Sequence, residues 1–183
     1  MHVLSLISTK GGAGKTTVAA NLGGVLADAG FRVLLLDLDS QPTLSSYYAL
    51  CAPREAGSYE LIAQGLTAPE QVISTTVIQH LDLIVSNDRA GHINTLLLHA
   101  ADGRLRLRNL LPAFQDQYDV LIIDTQGARS VVVEMVTVWP APGVTTAVFG
   151  VFQDVTARFT MEEALRRLIR PPEGAPDALL ARA

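Results

Sequence analysis

Mostly apolar runs alternate with amphipathic stretches along this chain, and the alternation predicts strands and helices in turn. The apolar runs, which favour buried strands, occupy residues 3–8, 32–36, 81–85, 120–123 and 146–152. Helical spacing of apolar positions predicts helices over residues 16–29, 58–64, 69–74, 92–100, 105–114 and 158–169. Because apolar strands separated by helices are typical of a mostly parallel sheet covered on both faces, we expect an α/β fold in three layers.

Local signals sharpen several of these elements. The first helix should bury one apolar face, which comprises Val18, Leu22, Val25 and Leu26. Gly30 is placed to end that helix, and Ser58 to cap the next one. Pro112 should disturb the helix over residues 105–114, whose buried face comprises Leu107, Leu110, Leu111 and Phe114. Residues 87–88 form a turn or a helix cap, and residues 130–138 are open between helix and strand.

Composition narrows the class of protein. The 183 residues suit one domain, and 49% hydrophobic with 17% charged residues argues against global disorder. The net charge of −4 argues against coating nucleic acid by bulk charge, although a local arginine patch stays open. The single cysteine, Cys51, excludes an internal disulfide and a cysteine-rich metal site. We expect one domain over residues 1–170 and a loosely held, proline-rich tail over 171–183.

Residues 131–152 are apolar enough to require a membrane check. Pro140, Pro142 and Gly143 interrupt the segment near its middle, and Glu134 adds a charge. These breakers favour two buried elements joined by a turn over one spanning helix. No secretion signal is visible at the start of the chain, so we expect no stable membrane insertion and a cytoplasmic location.

The clearest chemical signal is a glycine loop between the first strand and the first helix. The chain has twelve arginines but only two lysines, and both lysines, Lys10 and Lys15, lie in this loop. Glycines let successive N–H groups point at phosphate oxygens, and the following helix adds its positive end. Lys15 could reach the β- and γ-phosphates, and Thr16 could ligate Mg²⁺. The alternative, a glycine turn with no ligand, does not explain why both lysines fall here.

Two aspartates follow other strands of the predicted sheet. Asp37 ends the second strand and Asp124 follows the run at 120–123. In parallel sheets, ligands bind beyond the carboxyl ends of the strands, which is where the glycine loop also lies. We therefore expect both carboxyl groups to lie close to the phosphate loop.

Three motifs in order resemble those of the ParA/MinD ATPases. K-G-G-A-G-K-T-T at 10–17 resembles the family's deviant Walker A loop, with Thr9 where the standard pattern has its first glycine. D-L-D-S-Q-P at 37–42 resembles switch I, with Ser40 in place of the common proline. D-T-Q-G at 124–127 resembles the Walker B aspartate and switch II, with Gln126 as a departure. The match covers residues 1–129 and is most similar to the short ParA type, which has no N-terminal DNA-binding extension.

The resemblance implies a P-loop NTPase fold and a set of site residues. Catalytic roles would fall to Lys15, to Lys10 reaching the partner's phosphates across a dimer interface, and to Asp39, which orients the attacking water. Mg²⁺ would be held by Thr16, with Asp39 and Asp124 acting mostly through water. Asp37 either supports this shell or caps a turn. The implied nucleotide-binding residues are Lys10, Gly11, Gly12, Ala13, Gly14, Lys15, Thr16, Thr17 and Gly127.

The resemblance also implies a biological role. Such proteins dimerise on ATP, bind DNA nonspecifically and hydrolyse ATP slowly until a ParB-like partner stimulates them, and they partition plasmids, chromosomes or mobile elements. DNA binding would make the protein nucleoid-associated. The candidate DNA contacts are Arg158, Arg166, Arg167 and Arg170. The arginines at 104, 106 and 108 are more simply a solvated helix surface.

Several alternatives stay open at this point. Relative to the family the chain is expected to be shortened at its C-terminal side, without the adenine pocket and later DNA-facing helices. It could therefore be a remnant that binds nucleotide without effective turnover. A MinD-like membrane-cycling ATPase needs a basic amphipathic C-terminal helix, and residues 177–183 carry only Arg182. A ligase of the same fold, such as dethiobiotin synthetase, needs a substrate site that the sequence does not reveal.

Overall fold

The described strands form one seven-stranded sheet. The computed structural model describes residues 1–8, 12–126 and 145–150. The sheet has the order β3-β4-β5-β2-β6-β1-β7, with β5, β2, β6, β1 and β7 parallel and β3 and β4 antiparallel at one edge. The strands are β1 (His2–Ile7), β2 (Val33–Asp37), β3 (Leu50–Ala52), β4 (Ser74–Thr76), β5 (Leu81–Ile84), β6 (Val120–Asp124) and β7 (Thr145–Gly150).

Helices and short turns connect these strands. The α-helices are α1 (Lys15–Asp28), α2 (Pro69–Val72), α3 (His92–His99) and α4 (Arg106–Leu110). Shorter 3₁₀ segments occupy Leu44–Ser46, Gly103–Leu105 and Leu111–Phe114, and a π-helical turn occupies Glu60–Gln64. No helix within the described ranges is both long enough and apolar enough to cross a bilayer.

Alternate residues of each central strand pack on opposite faces of the sheet. In β2, Leu34 and Leu36 join the core beneath α3 and α4, whereas Val33 and Leu35 join the core beneath α1. Side chains alternate between the two faces of the sheet because successive residues of a strand point in opposite directions. Both faces are apolar here because helices cover both of them. The predicted three-layer α/β fold with a mostly parallel sheet is confirmed.

Val18, Leu22 and Leu26 of the predicted inward face are partly buried against the core, so that prediction is only partly correct for α1. Its buried apolar residues are small, comprising Ala19, Ala20, Gly23 and Ala27, while Val25 is 64% exposed. Close approach to the sheet explains this choice, since a Cβ on Gly23 would lie 2.9 Å from a methyl carbon of Leu35. The prediction that Gly30 ends the helix is confirmed, because Gly30 has a φ of +88° and its N–H donates to the Ala27 carbonyl.

Two predictions around the next helices also need correction. Ser58 is not a cap, because its hydroxyl is buried with no partner among the described residues. The Glu60 carboxylate instead accepts the Gly57 N–H at 2.8 Å, and the Asn87 side chain accepts the Tyr59 N–H at 2.9 Å. The helix predicted over 69–74 ends at Val72, and residue 74 begins β4.

Other local predictions hold. Asp88 caps α3, since its two carboxylate oxygens accept the N–H groups of His92 and Ile93 at 2.8 and 2.7 Å. The helix expected over 105–114 is divided, and Pro112 lies in its final 3₁₀ turn. Strand β7 overlaps the strand predicted at 146–152. The segment 130–138, the helix at 158–169 and the tail at 171–183 lie outside the described residues.

Candidate phosphate-binding site

The loop between β1 and α1 forms one wall of a pocket at the carboxyl edge of the sheet. Gly12 and Gly14 have φ angles of +70° and +82°, a region that side chains rarely adopt. The first N–H groups of α1 have no acceptors within the helix, so this end carries partial positive charge. The pocket has a volume of ≈ 500 Å³ and is lined by Gly12, Ala13, Gly14, Lys15, Thr16, Thr17, Asp39, Ser40, Gln41, Thr43 and Gln126.

Lys15 is a buried charged residue at the end of this loop. It is only 6% exposed although it lines the pocket. Its position at the first residue of α1 places the lysine stem against the protein and the ammonium group close to Asp124, whose pKa it lowers. The lysine and the N-terminal end of α1 are both positive, so together they favour an anion in the pocket.

Asp124 is a buried carboxyl group short of partners. It is fully buried, and neither of its oxygens accepts a hydrogen bond from the described residues. Burial raises its pKa to about 6. The Thr16 hydroxyl, which is near but not at hydrogen-bonding geometry, lowers the pKa, while the negative charge of Asp37 raises it further.

The residues around Asp124 fit a magnesium ion. Mg²⁺ prefers oxygen ligands and keeps several waters, so one hydroxyl, one carboxylate and phosphate oxygens suit it. Thr16 and Asp124 supply the first two, and the unpartnered carboxylate oxygens are the observation that favours a cation here. Within the described residues no group of three or more His, Cys, Asp or Glu side chains could hold a metal alone. A magnesium ion at this position would therefore depend on nucleotide phosphate and water.

Residues 39–43 form the opposite wall of the pocket, and Asp37 holds this segment in place. Its carboxylate accepts the Asp39 N–H at 3.1 Å, the Ser45 N–H at 2.9 Å and the Ser45 hydroxyl at 2.7 Å. Burial raises the pKa of Asp37 to about 6, and the three donors oppose this rise. Of the two roles left open for Asp37, these bonds support the turn cap.

Asp39 reaches the pocket from this braced segment. It is half-buried, lines the pocket, and accepts the Gln41 N–H at 2.9 Å through one carboxylate oxygen. Strands β2 and β6 are neighbours with Asp37 and Asp124 in register, which brings both motif segments to the same edge. The structure therefore brings together the described members of the expected nucleotide site, with Asp39 facing the loop of Gly12–Thr17 and Asp124 behind it. Lys10, Gly11, Gly127 and the arginines at 158, 166, 167 and 170 lie outside the described residues.

Some pocket residues were missed from the sequence. Gln41, Thr43 and Gln126 line the cavity, and Gln41 and Gln126 belong to the segments that resemble switch I and switch II. The Tyr47 hydroxyl lies 3.1 Å from the Thr17 hydroxyl, and this contact connects the segment after the opposite wall of the pocket to α1. Nothing in the local sequence marks that contact, since its partners are thirty positions apart.

The site combines a glycine loop that leads into a helix, an enclosed lysine, a threonine directly after it, and a buried aspartate on a neighbouring strand. These features together define the P-loop class of nucleotide-binding proteins. A sequence model described as an AAA domain, AAA_31, matches residues 1–139. The chain belongs to this family and is of the ParA/MinD type.

Curated relatives agree with this assignment. The chromosome-partitioning ATPase Soj of Treponema pallidum is 36% identical over 121 residues, which are 66% of this chain and 47% of the relative. The sporulation initiation inhibitor protein Soj of Bacillus subtilis is 32% identical over 123 residues, 67% of this chain and 48% of the relative. The chain thus spans about half the length of the curated relatives that it matches.

Solved structures show the same fold. Cobyrinic acid a,c-diamide synthase from Mycobacterium smegmatis, with bound ADP and magnesium, has a TM-score of 0.70 at 21% identity and covers 94% of this chain and 86% of its own. The ATP complex of Cyanothece McdA has a TM-score of 0.68 at 21% identity, covering 92% and 79%. At this identity the likeness establishes the fold alone.

Proposed function

We propose that this chain is a ParA-like, Mg²⁺- and ATP-dependent switch that hydrolyses ATP in the pocket beside α1. The observation that carries the proposal is an enclosed lysine and a half-buried aspartate lining one cavity, with Asp124, a buried carboxyl that has no partner among the described residues, close to that lysine. That combination suits a polyanion bound together with a divalent cation.

Each described residue has a chemical task in this proposal. Lys15 neutralises charge on the β- and γ-phosphates from its buried position, as a phosphate-loop lysine does. Thr16 and Asp124 would hold Mg²⁺, with Asp124 acting through water. The metal, when bound, neutralises charge on the phosphate oxygens.

Asp39 is the group placed to orient a water molecule for attack. It lies on the wall facing the phosphate loop, and its backbone is held by hydrogen bonds on both sides. Holding a reacting group in position lowers the barrier by removing the entropy of finding that arrangement. Lys10 is proposed to act on a partner's phosphates, and Gly127 to contact the γ-phosphate.

The wider role is proposed from the relatives. The Treponema pallidum relative is a chromosome-partitioning ATPase, and one solved structure of the same fold is a plasmid partition protein of Borrelia burgdorferi bound to AMPPNP. We propose that this chain dimerises on ATP, binds DNA nonspecifically and responds to a ParB-like partner in the cytoplasm, on the nucleoid. Its DNA contacts would be Arg158, Arg166, Arg167 and Arg170.

Turnover of ATP by the full chain tests the enzymatic part. We expect slow, Mg²⁺-dependent release of phosphate, and Asp39→Ala should retain ATP while losing turnover. Asp116→Ala is the matched control, since Asp116 is exposed and outside the pocket. Nucleotide binding without turnover in the wild type would make the chain a binding remnant, and unchanged turnover in Asp39→Ala would remove Asp39 from the mechanism.

A further inference from the structure

The peptide unit on each side of Asp39 is held by a different strand end. The Asp39 N–H donates to the Asp37 carboxylate at 3.1 Å, and the Asp39 carbonyl accepts the Ser86 hydroxyl at 2.5 Å. Asp37 ends β2, and Ser86 follows β5 by two positions. The residue facing the phosphate loop is therefore fixed from both sides by groups behind the pocket wall.

Ser45 joins these two holding groups. Its hydroxyl donates to the Asp37 carboxylate at 2.7 Å and accepts the Ser86 N–H at 2.9 Å. The bonds thus close a ring that passes through Asp37, Ser45, Ser86 and Asp39. Asp37 is fully buried and Ser86 is 8% exposed, so water competes little for these bonds.

Apart from Asp39, the ring lies outside the pocket that it supports. Asp39, Gln41 and Thr43 line the cavity, whereas Ser45 and Ser86 are not among its lining residues. Buried polar networks in which every member is satisfied are rigid, because opening one bond leaves its partners unpaired. A misplacement of about 1 Å at a reacting group can reduce a rate by about 100-fold.

We propose that Ser45 and Ser86 are positioning residues that fix Asp39 at the pocket wall through this hydrogen-bonded ring. This proposal rests on the proposed function, in which Asp39 orients the water molecule that attacks the phosphate. Neither serine touches the nucleotide in this account, so its removal should affect turnover and leave ATP affinity in place.

The test compares four substitutions in the full chain. Ser86→Ala, which loses one hydrogen bond, should lower kcat for ATP by about tenfold, and Ser45→Ala, which loses two, by at least as much, both with KM within about twofold of wild type. Ser86→Thr, which keeps the hydroxyl, should restore most of kcat. Ser46→Ala is the matched control, because Ser46 is exposed and its hydroxyl donates only to the Thr43 carbonyl among the described contacts. In an active protein, wild-type kcat in Ser86→Ala, or a change confined to KM, overturns the proposal.

Amide hydrogen exchange of the nucleotide-free protein separates this proposal from the proposed function. If the wild type hydrolyses no ATP, the proposed function fails, and exchange alone decides the positioning role. Faster exchange at the Asp39 amide in Ser86→Ala than in Ser46→Ala supports the ring as the constraint on this segment. Equal exchange in the two variants overturns it.

Discussion

Replacing Asp124 with asparagine should stabilise the nucleotide-free protein at neutral pH. Asp124 is fully buried, and its ionised oxygens have no hydrogen-bond partner among the described residues. Burial raises its pKa from 3.8 to about 6, so the ionised form is disfavoured in the folded state. Asparagine has nearly the same shape and carries no charge, which removes this penalty.

The pKa shift sets the size and the pH range of the effect. Because the folded state binds the proton more tightly than the unfolded chain, the penalty is absent below pH 3.8 and complete above pH 6. A difference of about two pKa units corresponds to about 3 kcal/mol at pH 7 and about 1 kcal/mol at pH 4.5. At roughly 2 °C per kcal/mol for a chain of this size, the unfolding midpoint at pH 7 should rise by about 6 °C.

Thermal and urea unfolding of wild type and Asp124→Asn at both pH values measure this directly. Asp116→Asn, an exposed aspartate, controls for the general effect of losing one negative charge. With Mg²⁺ and ATP present, the wild type should gain stability by ligand binding, whereas Asp124→Asn should gain much less. A nucleotide-free variant less stable than wild type at pH 7, or a gain equal at pH 7 and pH 4.5, would refute the reasoning.

Two further substitutions test packing and assembly. Gly23→Val should destabilise the protein by about 1–3 kcal/mol in urea unfolding, since its Cβ would lie 2.9 Å from Leu35 and its methyl groups need further room. Val25→Ala, on the exposed side of the same helix, should stay within about 0.5 kcal/mol of wild type, and equal losses in both variants would contradict the packing of α1. Lys10→Ala should keep ATP affinity but lose ATP-dependent dimerisation, measured by light scattering, together with turnover. A fully active Lys10→Ala dimer would refute a role for Lys10 across the interface.

Much of the architecture could be predicted because its causes are local. The strand at 120–123 is apolar throughout, and its parallel neighbours place Asp124 at the same edge as the glycine loop. The edge strands β3 and β4 escaped prediction, since each has only three residues and β4 consists of serine and threonine. Val25 was wrongly assigned to the inward face of α1 because hydrophobicity marks it, while the short distance to the sheet selects glycine and alanine at the most buried positions.

The candidate site, like the fold, could be predicted from the sequence only in part. The positions of Lys15 and Asp39 follow from motifs read along the chain. The ring through Ser45 and Ser86 depends on hydroxyl groups 41 positions apart, which the sheet order alone brings together. Serines at loop positions are common and carry no local sign of such a contact.

Equilibrium binding of Mg²⁺-ATP to the full chain tests the central claim most directly, with Lys15→Ala as the decisive variant. Arg54→Ala removes the same charge from an exposed position outside the pocket and is the matched control. We predict saturable binding by wild type and by Arg54→Ala, and loss of measurable binding by Lys15→Ala. No binding by the wild type, or undiminished binding by Lys15→Ala, would contradict a phosphate site at the start of α1.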